Sequence, residues 1–221
     1  MISSTVGKKI LMAVTGILMA LFLVAHALGN AAFLVGQEAI NAYAHHLQSL
    51  GPLLWLERAI MLGVLVVHIW MGLSLTLENW KAKPEKYQVR RYVKTGFASR
   101  TMLYTGLIIL AFLIYHLLHF TIRVTNPGIS EFVDASGRHD VYTLALRSFE
   151  QAVITLLYIA GLAAVLLHLW HGLGSFFQTM GWNTDRSMPL VDAGGKVVAT
   201  VLFLGFIAIP ITLFFLVRVN A

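Results

Sequence analysis

Four histidines, His26, His68, His116 and His168, fall one to a segment in the first four of five long apolar stretches. Neutral imidazole is a ligand for iron and other transition metals, and an ionisable side chain inside a membrane segment marks function by default. One such histidine alone could equally bridge helices or carry protons. Depth sorts these four into pairs. His26 lies 17 residues past Lys9 and His116 lies 16 past Arg100, whereas His68 precedes Glu78 by 10 and His168 precedes Gln178 by 10. At about 1.5 Å rise per residue, the two levels differ by roughly 10 Å along the membrane normal. Two ligands at each of two levels point to two stacked bis-histidine haems, close enough for electrons to cross the bilayer.

A repeat supports the choice. His68-Ile69-Trp70-Met71-Gly72-Leu73 and His168-Leu169-Trp170-His171-Gly172-Leu173 share an H-x-W-x-G-L pattern on helices running in the same direction. A glycine four residues after a histidine lies on the same helical face, and its missing side chain leaves room for a flat macrocycle. The register places His168, not His171, opposite His68. On depth alone His119 competes with His116. His119 and His171 otherwise read as packing or hydrogen-bonding groups, and His45, His46 and His139 as wet loop residues. Trp55, Trp70, Trp80 and Trp170 read as packing or interface anchors, and Gly16, Gly29, Gly106 and Gly174 as sites of close helix packing.

The elements that must carry these residues follow from composition. The 221 residues are 58% hydrophobic and 12% charged, which places the chain among integral membrane proteins. Apolar runs cover about 9–35, 53–77, 98–123, 150–177 and 194–217, each meeting the roughly 20 residues a span needs. The first is too long for the apolar part of a signal peptide. The expected architecture is one all-α domain over 1–221, with helices 1 to 4 forming a haem-binding bundle and helix 5 peripheral, closing it. Pro210 should bend that last helix.

Basic residues are retained on the cytoplasmic side of a membrane. Lys8, Lys9, Lys81, Lys83, Lys86, Arg90, Arg91, Lys94, Arg100, Arg186 and Lys196 flank one side, against Arg58, Arg123, Arg138, Arg147 and Arg218 on the other. The N-terminus is therefore expected in the cytoplasm and the C-terminus outside. A net charge of +6 concentrated on one face suits phospholipid headgroups or an acidic partner, and not nucleic acid. The chain has no cysteine, which excludes thiolate-held iron–sulfur clusters and covalent haem attachment. No glycine-rich nucleotide motif interrupts the helices. The one long connection, 124–149, with Asn126-Pro127-Gly128 and Ala135-Ser136-Gly137, reads as an exposed turn and short surface element.

With these residues in place, the chain resembles the single-chain, five-helix dihaem cytochrome b subunit of succinate:quinone oxidoreductases, the group of succinate dehydrogenases and menaquinol:fumarate reductases. The resemblance covers nearly the whole chain. It rests on His26, on His68, on Thr105-Gly106 ten residues before His116, and on His168 followed thirteen residues later by Gly181-Trp182. It favours His116 over His119 and His168 over His171. It implies two haems b, a distal one on His26 and His116 and a proximal one on His68 and His168, in a prokaryotic cytoplasmic (inner) membrane. It further implies an iron–sulfur subunit docked on the cytoplasmic face, a FAD flavoprotein beyond it, a dimer of such heterotrimers, and a respiratory-chain quinone, menaquinone by analogy, as electron partner.

A quinone near the distal haem makes Gln37, Glu38, His45, His46 and Gln48 the candidates for its site. Propionate partners are sought among Lys9, Arg91 and Lys94 at the proximal end, and Arg58 and Arg123 at the other. Some family members carry a proton-conducting glutamate two residues before the fourth-helix ligand. Here that position is Leu166, so that path is not expected. Two rival readings share parts of the pattern: a cytochrome b of another respiratory oxidoreductase, such as a nitrate reductase or hydrogenase, and a histidine-dependent transporter without cofactor.

Overall fold

The computed structural model describes residues 4–82 and 96–219. Apart from an isolated bridge between Val133 and His139, every regular element among them is helical. Five stretches are long and apolar enough to cross a membrane: Thr5–Val35, Pro52–Ala82, Met102–Thr121, Ala152–Met180 and Met188–Val219. The shortest has 20 residues, about 30 Å of helix and the thickness of a hydrocarbon core. Large side chains such as Leu21, Leu62, Trp70, Leu107, Val153 and Leu204 are exposed along these helices. An aqueous surface does not carry that much contiguous apolar area, and a lipid-facing one does. The chain is a multi-pass membrane protein.

Local chemistry sets the element ends. Ser4 caps α1 (Thr5–Asn30) by accepting from the Gly7 amide, which satisfies one otherwise unpaired donor. α1 does not run unbroken to residue 35. It stops at Ala31, and a short α2 (Ala32–Val35) ends at Gly36, whose φ of 132° only glycine adopts easily. The connection to the second span holds a helix that the apolar runs did not reveal, α3 (Gln37–Ser49). α4 (Pro52–Ala82) begins on a proline, favoured where the amide has no helical acceptor. α5 (Phe97–Arg100) leads into the third span, which comprises α6 (Met102–His116) and a π turn over Leu117–Thr121. α7 (Pro127–Ser130) and α8 (Val141–Phe149) follow, then α9 (Ala152–Met180), closed by left-handed Gly181, and α10 (Met188–Val219) with Pro210 inside it.

α1 packs on α4, α6 on α9, and α1 also on α9. The most extensive pairing among the described residues is α9 with α10. The last helix is therefore not peripheral as expected. It packs along α9, touches α8 and α1, and sets Phe206 against His26 at 5.7 Å between ring centres. The 124–149 connection also departs from expectation, because Leu144, Ala145, Ser148 and Phe149 of α8 are among the most buried residues of the chain. Ala145 and Phe149 form a core with Tyr158 of α9 and Ile209 and Leu213 of α10, ringed by Phe33, Phe112, Tyr115 and Phe120. The alternation of apolar with polar residues in 141–149 marks an amphipathic helix that caps one end of the bundle, and α3 packs on it. We call this the cap end. Lys8 and Glu78 pair at the opposite end.

Candidate functional site

The structure brings the four histidines together in two pairs, joined as depth suggests. His68 of α4 and His168 of α9 lie 6.2 Å apart between ring centres, and His26 of α1 and His116 of α6 lie 5.9 Å apart. The first pair is held by a motif present on both α1 and α6. His68 Nδ1 lies 3.1 Å from the Met12 carbonyl and 3.2 Å from Thr15 Oγ1. A carbonyl only accepts, so Nδ1 carries the proton. Thr15 gives its own proton to the Leu11 carbonyl at 2.7 Å and so accepts from the imidazole. His168 repeats the arrangement. Its Nδ1 lies 3.1 Å from Thr105 Oγ1, which donates to the Thr101 carbonyl at 3.1 Å. With Nδ1 protonated, each ring keeps the Nε2 lone pair for a metal, the usual role of an outer-shell acceptor.

The glycine beside each threonine admits the ring. A Cβ at Gly16 would stand 3.2 Å from His68 Cε1, and one at Gly106 3.5 Å from His168 Cε1. Gly72 and Gly172, unlike Gly16 and Gly106, lie beside open space. A side chain at Gly172 would meet nothing within 4 Å, and one at Gly72 only Met12 Sδ at 3.9 Å.

The second pair sits nearer the cap and is held differently. His26 stacks on Phe22 at 5.6 Å and meets Phe206. His116 lies among Phe112, Phe120 and Tyr158, and its Nδ1 is 3.4 Å from the Tyr158 hydroxyl. His119, the depth competitor, is buried and bonded on both nitrogens, to Tyr158 at 2.9 Å and to Ser148 at 2.8 Å. His171 is half-buried on α9 beyond His168. Along α1 the two sites are separated by the ten residues from Gly16 to His26, roughly 15 Å at helical rise.

Both pairs suit an iron held between imidazoles. Two metal–nitrogen bonds of about 2 Å, plus the offset from nitrogen to ring centre, separate the centroids in such a site by roughly 6 Å. Among the described residues no group of three or more His, Cys, Asp or Glu side chains converges, and each pair would offer two nitrogen ligands to a bound metal. The Trp170 indole N–H, two residues after His168, is buried without a partner among the described residues. A buried donor of that kind is open to an acceptor on a bound group.

The other candidate residues are distributed unevenly. Gln37 and Glu38 are engaged in the cap. Gln37 donates to Asp140 at 2.8 Å, and Arg138 forks onto Glu38 at 2.9 and 2.5 Å while also bonding Asp134 at 2.8 Å. Asn41, fully buried, donates to Asp140 and Asp134 and accepts from the Tyr142 amide. The hollow beside Gln37 and Glu38 has a volume of about 190 Å³ and is lined by charge, small and polar for a quinone ring. His45, His46 and Gln48 are exposed on α3.

Lys9 is exposed, and its neighbour Lys8 makes the ion pair with Glu78. Arg58 lies over Trp55 at 5.0 Å. Arg123 takes a positive φ of 64° at the end of the π turn. Arg91 and Lys94 lie outside the described residues, as do Lys83, Lys86 and Arg90. His139 is not a wet loop residue. Its ring is partly buried, its Nδ1 bonds the Phe132 carbonyl at 3.2 Å, and burial holds its pKa below the usual range.

The cap carboxylates titrate low. Burial raises the Asp134 pKa, but bonds from the Arg138 side chain and amide, the Ser136 amide and Asn41 outweigh it and bring it to about 2. Asp140 is lowered in the same way: burial raises it, and the Thr143 amide and hydroxyl, Asn41 and Gln37 more than compensate. The Arg138 hydrogen bond lowers Glu38.

Sequence reasoning missed Thr15, Tyr158 and Ser148. For Thr15 a signal was present. Thr15-Gly16 precedes His26 by the same spacing as Thr105-Gly106 precedes His116, and Phe22 and Phe112 stand four residues before each histidine. With the H-x-W-x-G-L pattern on α4 and α9, this makes helices 1–2 and 3–4 two copies of one hairpin. Each copy holds its own inner histidine by threonine, while each histidine pair is formed across copies. Comparison with known protein families, curated proteins and solved structures finds no match to this chain.

Proposed function

We propose that this chain is the membrane-anchoring, quinone-reactive cytochrome b subunit of a succinate:quinone oxidoreductase, a succinate dehydrogenase or menaquinol:fumarate reductase. The observation that supports it best is the pairing of His26 with His116 and of His68 with His168, at the spacing a bis-imidazole iron needs. Two haems b held there would supply two one-electron carriers in series between a quinone and the iron–sulfur subunit. The chain's own residues do the rest. Met12, Thr15, Thr105 and Tyr158 accept the Nδ1 protons, keep Nε2 basic and fix the plane of each ring. The apolar helices exclude water from both levels. α10 belongs to the same unit, packed along α9 with Phe206 against His26.

In this reading the N-terminus and the Lys8–Glu78 end face the cytoplasm of a prokaryote, where the iron–sulfur and FAD subunits dock. The cap end faces outward, and succinate and fumarate are handled in the flavoprotein, not here. The cap lock leaves a quinone little room among Gln37 and Glu38, so its head group belongs elsewhere near the His26–His116 level.

A reduced-minus-oxidised spectrum with haem quantification tests the proposal. Two haems b per chain, copurifying with a flavoprotein and an iron–sulfur subunit, are expected. Replacing His26, His68, His116 or His168 singly by alanine should each remove one haem, and replacing His171 should remove none. A folded preparation without haem overturns the reading in favour of a transporter. Two haems with other catalytic subunits reassign it to another respiratory cytochrome b.

A further inference from the structure

Behind His116 runs a hydrogen-bonded chain whose direction can be assigned link by link. Ser148 donates its hydroxyl proton to the Leu144 carbonyl at 2.6 Å, so it accepts from His119 Nε2–H at 2.8 Å. Nδ1 of a neutral His119 then has only a lone pair, and accepts from the Tyr158 hydroxyl at 2.9 Å. Tyr158, its proton spent, accepts from His116 Nδ1–H across 3.4 Å, the longest link. All four groups are donors in one sense, and such chains polarise cooperatively.

His119, Ser148 and Tyr158 are all buried, and Tyr158 is boxed by Phe112, Phe120 and Phe149 at 5.2, 5.9 and 4.9 Å. His119 sits in the π turn, closed by the Ile122 amide on the Leu117 carbonyl at 2.8 Å, a helical irregularity concentrated at functional sites. At the other pair, His168 ends on a threonine whose proton goes straight to backbone, with no further side chain in line.

We propose that Tyr158, His119 and Ser148 are positioning residues that act through His116, fixing its tautomer and setting the redox potential of the haem held by His26 and His116. The inference rests on the reading of the histidine pairs as haem ligands. A donor chain that draws on the Nδ1 proton gives the imidazole more imidazolate character, which favours the oxidised iron and lowers the potential.

The test is a redox titration of both haems in the purified complex, with their low-spin electron paramagnetic resonance signals recorded alongside. In Tyr158→Phe both haems should remain, one midpoint should move positive with a shift of its own low-spin signal, and the other should stay at its wild-type value. His119→Gln, which keeps an acceptor for Tyr158 and a donor for Ser148, should restore most of the wild-type potential relative to His119→Leu. Ser148→Ala should give a smaller shift of the same sign, and it decides the matter if Tyr158→Phe does not yield folded protein. Two haems with unchanged potentials and signals in these variants overturn the proposal alone. A wild-type complex without haem overturns the functional reading beneath it, a result that the first spectrum distinguishes.

Discussion

Each histidine pair joins equivalent positions of the two hairpin copies, yet the two pairs are secured by different means. At the His68–His168 level each imidazole is tied by a threonine one helix away, and that threonine is anchored to its own helix backbone. The arrangement is local and nearly symmetric. At the His26–His116 level one ring stacks on Phe22 and meets Phe206 at a tilt, and the other leans on a chain that ends in α8. That level depends on the tertiary fold of the cap. The lesson is that a sequence repeat fixes where the histidines stand, while what stands behind each ring is free to diverge.

The largest expected effect separates the levels by steric means. Gly16→Leu or Gly106→Leu fills the space that His68 or His168 occupies. Each should lose the haem of that pair and keep the other, halving haem content per chain by pyridine haemochrome assay. Loss of both would show that the levels are not independent.

Gly161→Val is the counterpart at the cap-side level. Even a Cβ there would stand 2.4 Å from the Phe112 ring that packs on His116 and Tyr158. Overpacking of this kind costs about 1–3 kcal/mol, and the thermal release of one haem should move to lower temperature.

Thr105→Val and Thr15→Val sharpen the comparison within the symmetric level. Thr105→Val removes the acceptor for the His168 Nδ1–H, a loss of about 1–3 kcal/mol when a buried donor is left unpaired. Thr15→Val should cost less, because the Met12 carbonyl still accepts from His68. Haem affinity of the two variants, measured by competition with an apo-globin, should rank in that order. Equal losses would mean that Met12 contributes nothing.

The smallest effect at neutral pH concerns the cap. Asp134, Asp140 and Glu38 all have lowered pKa values. A group depressed in the folded state stabilises fully above its unfolded value and loses that contribution as pH falls through its folded value. The cap should hold unchanged above pH about 5 and loosen as pH falls toward about 2, the Asp134 value. Hydrogen exchange over residues 134–149 in detergent or nanodiscs should rise in that window, while exchange near Thr15 stays constant.

The spans were legible because a run of about 20 consecutive apolar residues matches the thickness of a bilayer and is longer than a soluble core requires. So was the joining of histidines by depth, since helical rise converts residue number into height. The cap was not legible. α3 and α8 are short and amphipathic, and the buried bonds of Asn41 and Asp140 join residues about a hundred positions apart, beyond any local pattern. Nor could the repeat foretell that Trp70 would face outward at 67% exposure while the Trp170 nitrogen is enclosed. The same motif meets different neighbours once α10 packs along α9. Thr15 was within reach, because its spacing to His26 equals that of Thr105 to His116.

Pro210 has no amide hydrogen to give, and the carbonyl four residues before it belongs to Phe206. The missing rung of α10 therefore falls at the residue whose ring touches His26. Phe206 thus carries two burdens at once: its ring rests against His26 while its carbonyl goes without the helical partner that any other residue at position 210 would give.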